Sequence, residues 1–136
     1  MITLLIGKKG SGKTKKLIEH ANEAVVKSSG NVVVIEKGLK LTYDISHKAR
    51  LIDTDAYAIN GADAMFGFVS GICAGNYDVT DIFIDSTLKI IGQDIVALEK
   101  LVAKLKVLAE SANTTITLSV SAGEEELPEA LVALAK

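Results

Sequence analysis

Eight residues near the start of the chain, GKKGSGKT at 7–14, place three glycines and three lysines directly after the apolar run MITLLI. Glycine lets the backbone turn tightly and aim successive N–H groups at one point. Such a point attracts an anion, and the amino end of a following helix adds its own positive pole. Gly7, Gly12, Lys13 and Thr14 have the spacing G-x-x-x-x-G-K-[ST], which suits a polyphosphate. On this reading Gly7, Lys8, Lys9, Gly10, Ser11, Gly12, Lys13, Thr14 and Lys15 form the phosphate seat. Lys13 reaches the outer phosphates as a catalytic cation, and the Thr14 hydroxyl holds Mg²⁺. A magnesium ion beside phosphate also calls for a carboxylate. Asp85, at the end of the apolar stretch DIFID (81–85), provides one. The plainer alternatives are a glycine-rich turn with solvated lysines and, for Asp85, an ordinary turn residue ending a strand.

The surrounding pattern has to position these groups. ITLLI (2–6), VVVIE (32–36) and DIFID (81–85) are short apolar runs, as expected of strands buried on both faces. TTITLSVS (114–121) alternates Ile116, Leu118 and Val120 with Thr115, Thr117 and Ser119, which suits a further strand. KARLID (48–53) reads as a short strand, and KGLKLTYDIS before it as a hairpin or an irregular excursion. Helical spacing begins at Lys13, with Leu17, Ile18, Ala21 and Val25 on one face, and stops at SSGN (28–31). NGAD (60–63) predicts a helix start capped by Asn60 or Asp63. Ile95, Leu98, Val102, Leu105 and Leu108 predict a long helix over about 93–111. Pro128 opens a last helix, PEALVALA. Strands alternating with helices predict a three-layer α/β/α domain over 1–136, with a mainly parallel sheet of four or five strands.

Composition narrows the function classes. A chain of 136 residues with 49% hydrophobic and 24% charged residues can bury a core without disulfides. Its net charge of −2 and 4% aromatic content give no evidence for nucleic-acid binding. Cys73 is the only cysteine, which excludes internal disulfides, and it reads as a small buried residue. No apolar run reaches the roughly 20 residues of a membrane span. The opening run lacks the build of a signal peptide, so a cytoplasmic protein is expected. His20 and His47 have no metal-ligand partner at a useful spacing. Arg50 is the sole arginine.

Together GKKGSGKT and IFID resemble the Walker A and Walker B motifs of the P-loop NTPase superfamily. The resemblance implies that fold, with ATP and Mg²⁺ as ligands. No Asn/Thr-Lys-x-Asp signature of guanine recognition is present, which favours ATP over GTP. Ser86 stands where many such ATPases carry a water-polarising glutamate. In the RecA-like branch, which includes twitching-motility ATPases, that glutamate ends the strand after the P-loop helix, and the resemblance puts Glu36 in the role. It also implies that Ser119 or Ser121 senses the outer phosphate. The chain is most similar to a minimal core of this branch, which implies a slow or partner-stimulated ATPase.

Two other branches fit in part. Lys8 sits where ParA/MinD-like ATPases carry a lysine that reaches a partner subunit's nucleotide, which implies a nucleotide-gated assembly module with little turnover. Small-molecule kinases are a third class, with Asp53 and Asp55 as candidates to hold a hydroxyl substrate. A homo-oligomer or a protein partner is implied by either of the first two. Sheet order separates them: a strand inserted between 2–6 and 81–85 fits the RecA-like branch, and direct adjacency fits the others.

Overall fold

The computed structural model describes residues 1–136. Five strands, β1 (Ile2–Gly7), β2 (Asn31–Glu36), β3 (Arg50–Asp53), β4 (Val79–Ile84) and β5 (Thr115–Ser121), form one sheet in the order β1-β5-β4-β2-β3. Every neighbouring pair is parallel. Helices α1 (Lys13–Lys27), α2 (Ala62–Gly75), α3 (Thr87–Ile91), α4 (Ile95–Ala112) and α5 (Glu129–Val132) complete the α/β/α layers. β5 lies between β1 and β4, so the inserted strand is present. No helix is long and apolar enough to cross a membrane.

Each face of the sheet has its own core, and the period of two in the strands allots residues between them. Leu4, Val33, Ile35, Ile82, Ile84 and Ile116 join α2 and α4 in a cluster of 25 buried residues. Leu5, Val32, Val34 and Phe83 join Leu17 and Ala21 of α1 in a cluster of eight. The smaller core is completed by Leu41 and Ile45 from the excursion 37–49, which is irregular and not a hairpin. Asn22 of α1 fastens it, donating to Asp44 O (2.9 Å) and accepting from Ser46 N–H (2.9 Å).

Other expectations shift at the element ends. Gly61, at φ 92°, caps α2 in place of Asn60 or Asp63, and no side chain bonds to that end. The long helix starts two residues later than expected, because Asp94 caps it by accepting from Val96 and Ala97 N–H. The closing helix is one turn long and is preceded by a 3₁₀ turn at Glu124–Glu126. The chain then runs beside β1, where Leu4 N–H donates to Leu134 O and Lys136 N–H to Leu4 O, both at 3.0 Å.

Leu105 of α4 is fully buried, whereas Val107 two residues on is exposed. Leu105→Ala should lower unfolding stability by about 2–5 kcal/mol, while Val107→Ala should stay within about 0.5 kcal/mol. Urea denaturation of both variants checks which face of α4 carries the core.

Candidate functional site

The parallel sheet brings its carboxyl ends to one edge of the molecule, where the loops after β1, β4 and β5 meet. After β1 the chain turns through Gly10 and Gly12, at φ 87° and 89°, conformations that cost an L side chain about 1 kcal/mol or more. Ser11 N–H donates to Lys8 O (3.1 Å) inside this bend. The turn delivers Lys13 to the start of α1 with 9% of its surface exposed. Its ammonium donates to Lys8 O (3.1 Å). Burial holds the Lys13 amine below its ordinary value, and the nearby Asp85 carboxylate opposes that shift.

Asp85 follows β4 directly and is 6% exposed. Its carboxylate accepts from the hydroxyls of Ser119 (2.8 Å), Thr14 (3.2 Å) and Ser86 (3.2 Å). Ser86 takes a left-handed conformation, φ 52°, which a serine adopts at some cost. It is held there from two sides: its N–H donates to Ser119 Oγ (2.7 Å) while its hydroxyl binds Asp85. The register of β5 between β1 and β4 thus places Ser119 beneath the aspartate.

A cavity of about 560 Å³ opens above this cluster. One wall is the loop and first turn of α1, with Lys9, Gly10, Gly12, Lys13, Thr14 and Lys15. The other is the segment after Asp85, with Ser86, Leu88, Lys89 and Gln93, and Ser121 closes the end of β5. Four lysines line the space and no carboxylate does. The chemistry this offers is binding of a polyanion by main-chain amides and ammonium groups.

Of the residues singled out in the sequence, Gly10, Gly12, Lys13, Thr14, Lys15 and Lys9 meet at the cavity, and Asp85 lies under Thr14. Gly7 sits behind the bend, where a Cβ would run into the Ser11 side chain. Lys8 turns away and pairs with Glu125 (3.0 Å), which raises the lysine's pKa. Of the two serines, Ser121 faces the cavity and Ser119 is committed to Asp85. Arg50 opens β3 at the opposite sheet edge from β1, and its guanidinium donates to the Tyr57 hydroxyl (3.3 Å). Asp53 accepts from Gly38 and Asp55 N–H, and Asp55 pairs with Lys37. Both aspartates therefore hold local loops.

Glu36 ends β2 with 3% of its surface exposed and does not line the cavity. Its carboxylate accepts from Leu41 N–H (2.9 Å) and Lys40 N–H (3.2 Å), anchoring the excursion whose Leu41 and Ile45 fill the α1-side core. Lys89 and Gln93 were not singled out. The signal was present in TLKIIGQD, with Leu88 and Ile91 three apart and a glycine stop, but five residues of helix are too few for periodicity to register.

No cluster of three or more His, Cys, Asp or Glu side chains could hold a metal by itself. Thr14 and Asp85 offer two hard oxygens side by side, a donor set that fits Mg²⁺ completed by water and phosphate. No protein-family model matches the sequence, and a comparison with curated proteins gives no match.

Burial pushes the Glu36 carboxyl above its ordinary value of 4.5, against the pull of the two amides, and Asp85 and Asp53 add repulsion. The folded chain then binds more protons than the unfolded chain from pH 4.5 up to the raised value. Across that window stability falls as pH rises. Urea titrations at several pH values should show wild type losing stability relative to Glu36→Gln across it, with the difference level above it. A difference independent of pH would mean that folding leaves the Glu36 pKa unshifted.

Proposed function

We propose that the chain binds a magnesium–nucleoside triphosphate, ATP in the first instance, at the cavity above Asp85. The observation that carries this reading is the placement of four lysines and a glycine-bent loop around a space with no carboxylate in its lining, with Asp85 bonded to Thr14 and Ser86 just behind that lining. A triphosphate at neutral pH carries several negative charges, and only such a lining would repay its desolvation. Lys13 would hold the outer phosphates, and its lowered basicity when free would be reversed by the anion. Thr14 and Asp85 would hold Mg²⁺, which when bound shields the phosphate charge and orients the chain for in-line attack.

The inserted β5 supports a P-loop domain of RecA-like type over the ParA/MinD-like and kinase alternatives. The pairing of Lys8 with Glu125 counts against a lysine presented to a second subunit's nucleotide. On this reading the activity is a slow ATPase, accelerated by a partner or by self-association. A nucleotide-gated binding module with little turnover is the second reading, favoured by one observation: Glu36 is occupied by main-chain amides.

Isothermal titration with Mg-ATPγS and Mg-ADP tests the binding. Lys13→Ala should weaken affinity roughly 10- to 150-fold, the equivalent of about 1.5–3 kcal/mol for a charged hydrogen bond. Asp85→Asn should weaken the magnesium dependence and leave metal-free binding in place. No affinity in the folded wild-type chain would end the proposal.

A further inference from the structure

We propose that Lys89 and Gln93 are catalytic residues of this cavity, Lys89 taking up charge on the transferring phosphoryl group and Gln93 orienting the attacking water. The inference rests on the nucleotide reading above and assigns its chemical step.

Hydrolysis needs a group to place water and a cation beyond the phosphate seat. Other residues that could supply these groups are engaged elsewhere. Glu36 is tied to Lys40 and Leu41 amides, and a serine follows Asp85. Arg50 lies at the far sheet edge, and Lys8 is paired with Glu125. Among the lining lysines, Lys9 and Lys15 belong to the loop and to α1, the same wall as Lys13. Lys89 alone stands on the opposite wall, exposed and in no ion pair, so a phosphate group in the cavity would have ammonium groups on both sides.

Gln93 is the only amide side chain lining the space. Its Nε2 makes one long contact, 3.5 Å to Leu88 O, which leaves a donor and the Oε1 acceptor for water. The mount is rigid. Thr87, Leu88, Ile90 and Ile91 are buried, Ile90 O accepts from Gly61 N–H (3.1 Å), and Gly92 N–H closes the turn onto Leu88 O (3.0 Å). This packing fixes the backbone of α3 beside the cavity, which Lys89, on the helix, and Gln93, just after it, both line.

The step balances without a protein base. The water oxygen forms a bond to the γ-phosphorus while the bond from that phosphorus to the β–γ bridging oxygen breaks. The water proton passes to a γ-phosphate oxygen, giving ADP and inorganic phosphate. An amide suffices for Gln93 because it positions water and accepts no proton.

The test uses the full chain with Lys89→Ala, Lys89→Arg and Gln93→Ala, and exposed Lys106→Ala as control. Three readouts are taken: Mg-ADP affinity, kcat and KM for Mg-ATP, and affinity for Mg-ADP with aluminium fluoride, a mimic of the transferring phosphoryl group. Lys89→Ala should lower kcat about 100- to 1,000-fold and Gln93→Ala about 100-fold or more. Both should leave Mg-ADP affinity within threefold and lose the preference for the fluoride complex. Lys89→Arg should retain most activity. Should both alanine variants keep kcat and fluoride affinity within twofold of wild type, the inference fails and the nucleotide reading stands. Should the folded wild type bind no nucleotide, both fail.

Discussion

Lys13 and Asp85 are both buried at one sheet edge, carry opposite charge, and do not touch. The lysine feels the aspartate, since the carboxylate raises its basicity against the burial that lowers it. Neither forms an ion pair, because the ammonium donates to Lys8 O and the carboxylate is surrounded by hydroxyls. Two buried charges left apart are an unfavourable arrangement unless something of mixed charge fits between them. On the proposed reading a metal–phosphate unit would have that character, since it offers a cation to the carboxylate and an anion to the lysine. The bend at Gly10 and Gly12, the left-handed Ser86 and the position of β5 all serve to hold this separated pair.

The fold was legible because its pattern is strong. Val32–Ile35 and Ile82–Ile84 are apolar on both faces, as parallel strands covered by helices must be, and the structure divides their side chains between two cores. The sheet's five parallel strands and the layer arrangement follow from that alternation of elements. The bend between β1 and α1 was also legible as a turn, since glycines before a helix mark one and Gly10 and Gly12 take positive φ. What sequence could not give was the use of each polar strand end. Glu36 and Asp85 look alike on paper, each a carboxylate closing an apolar run, yet one braces a loop and the other lies beneath a cavity. The difference is set by residues 40–41 and 119, far along the chain from one or both. The excursion 37–49 was illegible for a related reason. It has no period, and its order comes from a local closure onto Glu36 and from tertiary bonds to Asn22.

The smaller core explains an oddity of β5. Its residues facing α2 and α4 are Ile116, Leu118 and Val120, but its buried Thr117 and Ser119 point to the opposite side. A fully apolar β5 would pack that side better, at the expense of the hydroxyl that holds Ser86 and Asp85. The polar alternation that marked this strand in the sequence is therefore a trace of the site as well as of the fold.

Three adjacent strands, β4, β2 and β3, lead into carboxylates at the same edge: Asp85 directly after β4, and Glu36 and Asp53 as the last residues of β2 and β3. Their partners differ in kind. Glu36 and Asp53 accept from main-chain amides, whose directions are fixed by the fold, and each closes a loop. Asp85 takes its side-chain partners only from hydroxyls. A hydroxyl is a rotor that donates or accepts with small rearrangement, whereas an amide N–H only donates. If a cation takes the carboxylate oxygens, Thr14 can turn its lone pairs to the same ion, and Ser86 and Ser119 can redirect their hydrogens. An amide-bound carboxylate would have to break a loop to do the same. Of three acids at one edge, Asp85 is the one whose surroundings permit exchange, and on the proposed reading that would suit it to an ion arriving with its phosphate.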